Sequence, residues 1–153
     1  MNLPFEALLA RIASIAAGPG AREDRLREVC RLLRREVPHY DWVGFYLVDP
    51  ASPRELALGP FDGAPTDHTR IAFGQGICGQ AAELRDTFVI QDVSRETNYL
   101  SCGPHVKSEI VVPVFKDGAV AGEIDIDSRA LAPFTPQDRE FLEKAARILA
   151  ELF

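Results

Sequence analysis

Two neighbouring segments alternate apolar and polar residues with the period of a β-strand. They span residues 109–115 and 120–127, and Lys116-Asp117-Gly118 between them is a turn sequence. This pattern predicts an antiparallel hairpin with one apolar face. The opposite face carries four acids, Glu109, Glu123, Asp125 and Asp127. Any fold for this chain must therefore bury the apolar side of a sheet and leave the acidic side either in solvent or in contact with a ligand.

The loop length at the turn decides which residues share a face. A two-residue turn would pair residue 115 with 120 and set Ile110 opposite Asp125, which mixes acids into the apolar face. A three-residue loop pairs 115 with 119 and sets Glu109 opposite Asp125, with Asp127 on the same face. Because hydrophobic patterning fixes register, we predict the three-residue loop. Its apolar face comprises Ile110, Val112, Val114, Val120, Ile124 and Ile126.

The rest of the chain supplies helices at both ends and further strands. A first apolar helical stripe stops at Gly18-Pro19-Gly20, and a second ends before Pro38. A last helix starts with Thr135 as N-cap and Pro136 at its first position. We predict an α+β fold in a single domain, residues 1–153: a central, mostly antiparallel sheet with terminal helices on one face and a ligand pocket on the other. Further strands are expected at 42–48, 55–58, 69–73 and 87–91, with a loop at 59–63, a short helix after the glycines of 74–79 and a long loop over 92–107.

Composition excludes several function classes. The chain has 153 residues, 17 Lys+Arg against 23 Asp+Glu and a net charge of −6, without the basic stripe expected of a nucleic-acid binder. No apolar run approaches the roughly 20 residues of a membrane helix, and the N-terminus lacks the pattern of a signal peptide. We therefore expect a cytoplasmic protein. Its three cysteines are too few, and odd in number, for a disulfide scaffold, so we expect free thiols.

The cysteines lie in different settings. Cys78 begins a helix within a glycine-rich loop, where backbone N–H groups favour a thiolate. Cys102 lies in the long loop near His105 and Lys107, which also favour a thiolate. The two could form a redox pair. Cys30 lies on the apolar stripe of a helix and is expected to be a buried structural thiol.

Two other sites are open to these residues. Gly74, Gly76 and Gly79 spell G-x-G-x-x-G, a dinucleotide motif that needs a βαβ unit, which the predicted elements do not provide. Cys102-x-x-His105 with Cys78, or with Cys78 and His68, could ligate zinc, although no CxxC pair is present. Outside such a site, the histidines are expected at the surface.

The acidic face has two interpretations. It can be a solvated polar surface, or a site for a cationic ligand group in which one acid has a pKa raised enough to donate a proton. The hairpin by itself favours the solvated surface.

Five motifs together resemble the free methionine-(R)-sulfoxide reductases, small enzymes built on one GAF domain. They are WVGFY at 42–46, LGPFDG at 58–63, GQGICG at 74–79, KSEIVVPV at 107–114 and EIDIDS at 123–128. The resemblance implies a GAF fold with no cofactor or bound metal. It also implies reduction of free methionine sulfoxide, recycling by a thioredoxin-type dithiol and a homodimer through the apolar terminal helices.

The resemblance also implies roles for individual residues. Cys102 matches the nucleophile, which becomes a sulfenic acid, and Cys78 matches a cysteine that closes a disulfide with it. Glu109, Asp125 and Asp127 match acids that hold the substrate amino group, and Glu109 or Asp127 would protonate the sulfoxide oxygen. Trp42 and Tyr46 match aromatic residues that line the pocket.

One position departs from the family pattern. Many members carry a third cysteine ten residues before the GICG cysteine, where this chain has His68. The recycling route would then depend on Cys78 and Cys102, whose roles could also be exchanged, or on direct reduction of the sulfenic acid. A non-catalytic GAF sensor of a small molecule or of oxidant is the main alternative function, and a zinc-binding interaction module is the third.

Overall fold

A curled antiparallel sheet organises the protein. The computed structural model describes residues 4–101 and 103–153. Its helices are α1 (Phe5–Ala17), α2 (Arg22–Glu36), α3 (Gly76–Leu84) and α4 (Pro136–Leu149). Its strands are β1 (Trp42–Asp49), β2 (Ser52–Asp62), β3 (Arg70–Ala72), β4 (Phe88–Ile90), β5 (Ser108–Lys116) and β6 (Ala119–Ser128). The six strands form one sheet in the order β3-β2-β1-β6-β5-β4.

The two faces of the sheet have different cores. Helices α1, α2 and α4 pack on one face, against inward residues such as Phe45, Ile110 and Ile126, all with 0% exposure. Helix α3 covers the other face with Ile77 and Ala81, against Tyr46 and Val111. The predicted α+β fold, with terminal helices on one face of an antiparallel sheet, is confirmed.

The predicted hairpin register was wrong, although most of the face assignment was right. Lys116 pairs with Ala119, so the turn has two residues, and Phe115 pairs with Val120. A β-bulge then leaves Ala121 unpaired, and Val114 pairs with Gly122. The extra residue restores the alternation beyond it, as a bulge does.

The bulge changes which residues face one another. Glu109 lies opposite Asp127 and not opposite Asp125, which pairs with Val111. Val120 packs with the α3 core and not with the helix-covered apolar face. Neither uninterrupted register keeps both the tight turn and the apolar face, so only a bulge satisfies both.

Other boundaries also differ from the prediction. Strand β2 runs through Asp62, so residues 59–62 are strand and not loop. Helix α3 begins at Gly76, inside the glycine motif. The antiparallel sheet has no βαβ unit around this motif, which rules out the dinucleotide site. Within the long loop, Val93–Arg95 form a short 3₁₀ turn.

The start of α4 matches the sequence prediction. The Thr135 hydroxyl accepts a hydrogen bond from the Asp138 backbone N–H, and the Asp138 carboxylate accepts one from the Thr135 N–H. This reciprocal pair is a capping box. Among the described residues, no helix is long and apolar enough to cross a membrane.

Candidate active site

The central strand β6 carries a row of acids on the sheet face that α3 covers. Glu123, Asp125 and Asp127 alternate with Ile124 and Ile126, and all three acids are at most 2% exposed. Strand β1 places Tyr46, Gly44 and Trp42 beside them, in that order. The acidic face of the hairpin is therefore a buried interior surface and not a solvated one.

Strand β5 adds a fourth acid to this row. Glu109 is 4% exposed and lies directly opposite Asp127. Burial raises the pKa of Asp125, and its contacts with Glu109 and Cys78 offset only part of that rise. Closely spaced carboxyls cannot all ionise in an apolar interior, and an acid with a raised pKa is suited to donating a proton.

Cys78 contacts this acid cluster from helix α3. Its thiol is 3.9 Å from Glu109 Oε2. Burial raises the pKa of Cys78 well above its usual value, and the neighbouring Asp125, Glu123 and Glu109 raise it further. The expected thiolate at the helix N-terminus was therefore wrong for Cys78, because desolvation and negative neighbours outweigh the helix dipole.

Glu123 is a site residue that the sequence analysis did not single out. It is fully buried, and neither of its carboxylate oxygens has a hydrogen-bond partner among the described residues. Burial, and then the charge of Asp125, raise its pKa well above the usual value, while a contact with Cys78 lowers it in part. Its place in the alternation with Asp125 and Asp127 was the available signal.

The two predicted aromatic residues border the acids. Trp42 is 8% exposed, stacks on Phe61 with ring centroids 5.5 Å apart and donates through Nε1 to the Ala64 carbonyl at 2.9 Å. The Tyr46 hydroxyl donates to the His68 carbonyl at 2.9 Å. A Cβ on Gly44 would lie 2.4 Å from the Trp42 ring, so only glycine lets the indole lie over the strand at this position.

These residues divide between two neighbouring cavities. A cavity of about 300 Å³ has Trp42 and Asp127 in its wall, together with Gly103 and Pro104. A much smaller one, about 10 Å³, is lined by Tyr46, His68, Ile71, Ile77, Cys78, Leu100, Glu109 and Asp125. No lysine or arginine is in that lining as described.

The long loop closes over the smaller cavity. Asn98 holds it to the start of α3, since its Oδ1 accepts from Gly76 N–H at 2.8 Å and its Nδ2 donates to the Gly74 carbonyl at 2.8 Å. Leu100 packs against Gly76, and His68 Nε2 lies 2.8 Å from the Ser101 carbonyl. His68 therefore forms part of the pocket wall, contrary to the prediction of a plain surface histidine.

Of the residues that the structure describes, the other predicted histidine and cysteine positions lie outside the acid row. His39 is only 20% exposed and contacts Asp138 at 2.7 Å, so its prediction as a surface residue was also wrong. Cys30 is fully buried among the α2 core residues, as predicted. Cys102, the predicted nucleophile, lies outside the described residues. Among those described, the one group with metal-ligating spacing is Cys78, Glu109 and Asp125, which differs from the predicted zinc set.

The sheet, its helices and the pocket on the α3 face define a GAF domain, and a model of the GAF domain family matches residues 21–152. The free methionine-R-sulfoxide reductase of Escherichia coli is 32% identical over 144 residues, covering 94% of this chain and 81% of that protein. The Saccharomyces cerevisiae enzyme of the same name is 40% identical over 110 residues, covering 71% of this chain and 61% of that one.

A solved structure agrees with these relatives. The free methionine-R-sulfoxide reductase of Neisseria meningitidis, in complex with its substrate, has a TM-score of 0.91 and 39% identity, covering 97% of this chain and 87% of that chain. The chain belongs to the free methionine-R-sulfoxide reductases, a family of oxidoreductases. The family resemblance seen in the sequence motifs is thereby confirmed.

Proposed function

We propose that this protein reduces free L-methionine-(R)-sulfoxide to methionine by cysteine chemistry. The observation that carries the proposal is the buried acid row of β6 and β5, in contact with Cys78 on the pocket face of a chain of this family. A solvated or purely structural surface would not bury Glu109 and Asp125 together in a cavity wall that has no lysine or arginine as described.

The acid row suits the ammonium group of a free amino acid. In the proposed complex, Glu109, Asp125 and Asp127 surround that group and supply the charge that it needs when it leaves water. A methionine sulfoxide inside a peptide has an amide in place of the ammonium group. A peptide amide carries no charge to offset that of the buried acids, so the site rejects it.

The reaction divides between two cysteines. The Cys102 thiolate attacks the sulfoxide sulfur, and Glu109 or Asp127 protonates the sulfoxide oxygen. That oxygen passes to Cys102 as a sulfenic acid, and methionine leaves with its sulfur reduced. The Cys78 thiol then attacks the sulfenic acid, which releases water and forms a Cys78–Cys102 disulfide. A thioredoxin-type dithiol reduces the disulfide by exchange and becomes oxidised.

The environment of Cys78 supports this division of roles. A thiol whose pKa is raised by burial and by neighbouring acids is a poor first nucleophile. Cys78 suits the second step, in which it meets a sulfenic acid already formed. The nucleophile role therefore falls to Cys102, and the exchange of roles that the sequence left open is disfavoured.

The cavities support a place for the substrate. The smaller cavity has room for about one water molecule, far less than an amino acid requires. The larger one has room for a side chain and brings together Trp42, Asp127 and Gly103, the residue that follows Cys102. We place the sulfoxide end of the substrate there. Its ammonium group reaches Glu109 and Asp125 once Leu100 is displaced.

Three further features belong to the same proposal. The reductant is a thioredoxin-type protein. The chain works in the cytoplasm, where residues 1–153 form a single GAF domain. It pairs with a second copy through the terminal helices. Light scattering of the purified protein tests the homodimer directly. A monomer at micromolar concentration would exclude it.

The deciding experiment follows NADPH consumption with thioredoxin and its reductase. Three substrates are supplied separately: the free (R)-sulfoxide, the free (S) epimer and the N-acetylated (R)-sulfoxide. We expect turnover of the free (R) form alone. Turnover of the acetylated form would contradict the role of the acid row. If none reacts, thiols are counted after one addition of free (R)-sulfoxide, and an unchanged count would indicate a binding sensor instead of an enzyme.

Variants of the cysteines test the order of steps. Cys102→Ser should abolish turnover and keep binding of the free sulfoxide. Cys78→Ser should still form one methionine per chain and leave a sulfenic acid that dimedone traps. Cys30→Ser is the matched control, since that thiol lies in the other core, and it should react like the wild type. Wild-type turnover in Cys102→Ser would overturn the mechanism.

A further inference from the structure

We propose that Cys78, Glu109 and Asp125 form a binding site for one zinc ion. The metal site follows from geometry alone. Its consequence, that zinc blocks the reductase pocket, rests on the function proposed above. The three side chains come from three different elements, α3, β5 and β6, so the fold and not a local sequence motif brings them together.

The ligand atoms have the spacing of a metal site. The Cys78 sulfur and one oxygen from each carboxylate all lie within 4.8 Å of one another, and all three residues are buried. Zinc bonds of about 2.3 Å to sulfur and about 2.1 Å to oxygen place ligand atoms about 3.4 Å apart in a tetrahedron. The Cys78 sulfur is already 3.9 Å from Glu109 Oε2, so small side-chain rotations complete the geometry.

The smaller cavity provides a fourth position. All three ligands line it, and its volume of about 10 Å³ accommodates about one water molecule. Three protein ligands and one water are a common zinc arrangement. The closed pocket is thus far too small for methionine sulfoxide, yet it matches an ion and its water.

Asp125 and Glu123 carry buried oxygens that a cation could neutralise. Asp125 Oδ1 and both oxygens of Glu123 have no hydrogen-bond partner among the described residues, and these side chains are at most 1% exposed. His68 is the one residue in the described cavity wall that can carry positive charge. A bound cation would satisfy these oxygens, directly at Asp125 and through its charge at Glu123.

The ligand set selects among cations. A thiolate with two carboxylates favours zinc and similar thiophilic ions, whereas magnesium and calcium require oxygen ligands in larger number. Binding forms one Zn–S bond and releases the Cys78 thiol proton to solvent, with any carboxyl protons, without a redox change. Zinc and the substrate ammonium group would then compete for the same acids, and a zinc-bound Cys78 could not resolve a sulfenic acid.

Cobalt substitution tests the site without an activity measurement. The reduced, chelator-treated protein is titrated with Co²⁺, and the sulfur-to-cobalt charge-transfer band is recorded. We expect one equivalent to bind, zinc to displace it and magnesium in excess to leave it unchanged. Cys78→Ala should abolish the band. Glu109→Gln and Asp125→Asn should each weaken binding at least about tenfold.

Matched variants separate this site from other thiols. Cys30→Ser, Cys102→Ser and His105→Ala should bind cobalt like the wild type, and circular dichroism confirms that each variant is folded. No charge-transfer band in the wild type would overturn the proposal. So would a band that survives in Cys78→Ala, or one lost in Cys102→Ser and His105→Ala, which would assign the metal to the long loop instead.

The two proposals fail in distinguishable ways. Turnover of free sulfoxide is measured in chelator, so it reports the reductase without metal. Zinc inhibition is then measured against substrate concentration, and we expect competitive inhibition. Cobalt binding without turnover, and with an unchanged thiol count after addition of free sulfoxide, would retain the metal site and reject the reductase. Turnover without the cobalt band would do the reverse.

Discussion

At the scale of single residues, Glu123 differs strongly from a solvent-exposed glutamate in its burial and its pKa. It is a carboxyl with no exposed surface and no hydrogen-bond partner among the described residues. Burial and Asp125 raise its pKa, which keeps it protonated where an exposed glutamate is charged. Such a group costs folding stability, and its position beside Cys78 fits a functional role.

Replacing Glu123 by glutamine should change how stability depends on pH. Above a pH of about 4.3, the unfolded chain loses this proton while the folded chain keeps it, so rising pH favours unfolding by at most about 1.4 kcal/mol per pH unit. Glu123→Gln removes that effect. In urea unfolding, the free energy of unfolding of the variant, relative to that of the wild type, should therefore be higher at pH 8 than at pH 5.

The matched control for this prediction is Glu140→Gln. Glu140 lies on α4 with its side chain 66% exposed, in an ion pair with Lys144. It should leave the pH dependence unchanged. If the free energies of unfolding of Glu123→Gln and the wild type changed equally between pH 5 and pH 8, Glu123 would be charged in the folded protein.

At the scale of elements, the N-terminus of α4 connects three parts of the helix-side core. Asp138 is fully buried, caps the helix and accepts hydrogen bonds from Tyr40 at 2.6 Å and from Thr135. His39 contacts the same carboxylate oxygen at 2.7 Å. Burial alone would raise the pKa of Asp138, but the bonds from His39, Tyr40 and Thr135 lower it overall.

Asp138→Asn should destabilise the protein by about 1–3 kcal/mol at pH 7, because it removes the charge that these donors face. A carboxylate with a lowered pKa stabilises the fold above its unfolded value of about 3.9, and this contribution is lost as pH falls through the folded value. In urea unfolding, the difference in the free energy of unfolding between wild type and variant should thus become smaller below about pH 4.

Asp24→Asn provides the comparison. Asp24 is also in the first turn of a helix, α2, but its side chain is 75% exposed. We expect a change of a few tenths of a kcal/mol there. An equal loss in both variants would mean that the buried network at Asp138 adds nothing to ordinary helix-dipole stabilisation.

The bulge in β6 predicts how the protein tolerates deletions in this strand. Deletion of Ala121 removes only the unpaired residue, so Phe115 still faces Val120 and Val114 still faces Gly122. The acids then keep their face, and the variant should fold with a modest loss of stability. Deletion of Ile124 would instead turn Asp125 and Asp127 towards the helix-covered core, and that variant should not fold.

Circular dichroism and thermal melting of both deletion variants decide the matter. A cooperative transition in the Ala121 deletion and none in the Ile124 deletion is the expected result. Loss of folding in the Ala121 deletion would show that the bulge has a structural role beyond restoring the alternation.

At the scale of the whole molecule, one sheet separates a structural core from a functional one. The helix-side core is apolar apart from the Asp138 network, whereas the α3 side contains the acid row, Cys78 and both cavities. Burial raises the pKa values of Asp125 and Glu123 on the α3 side, so a positive charge beside them is favoured. A ligand that supplies positive charge there should stabilise the entire chain.

Substrate binding should accordingly raise the free energy of unfolding. At a hundred times its Kd, free methionine-(R)-sulfoxide should add about 2.7 kcal/mol to the stability of Cys102→Ser, which binds without turnover. Urea unfolding measures the difference. The N-acetylated sulfoxide at the same concentration should add nothing. Equal stabilisation by both would show that the ammonium group is not what the acid row recognises.

Much of this architecture could be predicted from local patterns. The alternation around Ile110 and Ile124, the helical stripes and the Thr135 cap depend on neighbours along the chain, and they are where the sequence predicted them. Residues 59–62 were missed, because a glycine and a proline there resemble a turn while pairing with β1 holds them in a strand. Partner strands, which are remote in sequence, decide such cases.

The order of residues is enough to give β6 an apolar face and an acidic face, because side chains alternate strictly along a strand. What the acidic face does depends instead on the elements that pack against it. Helix α3 and the long loop bury it, and burial reverses the expected ionisation of Cys78 and brings Glu123 into the site. Desolvation depends on what covers a residue, and the covering elements come from distant parts of the chain.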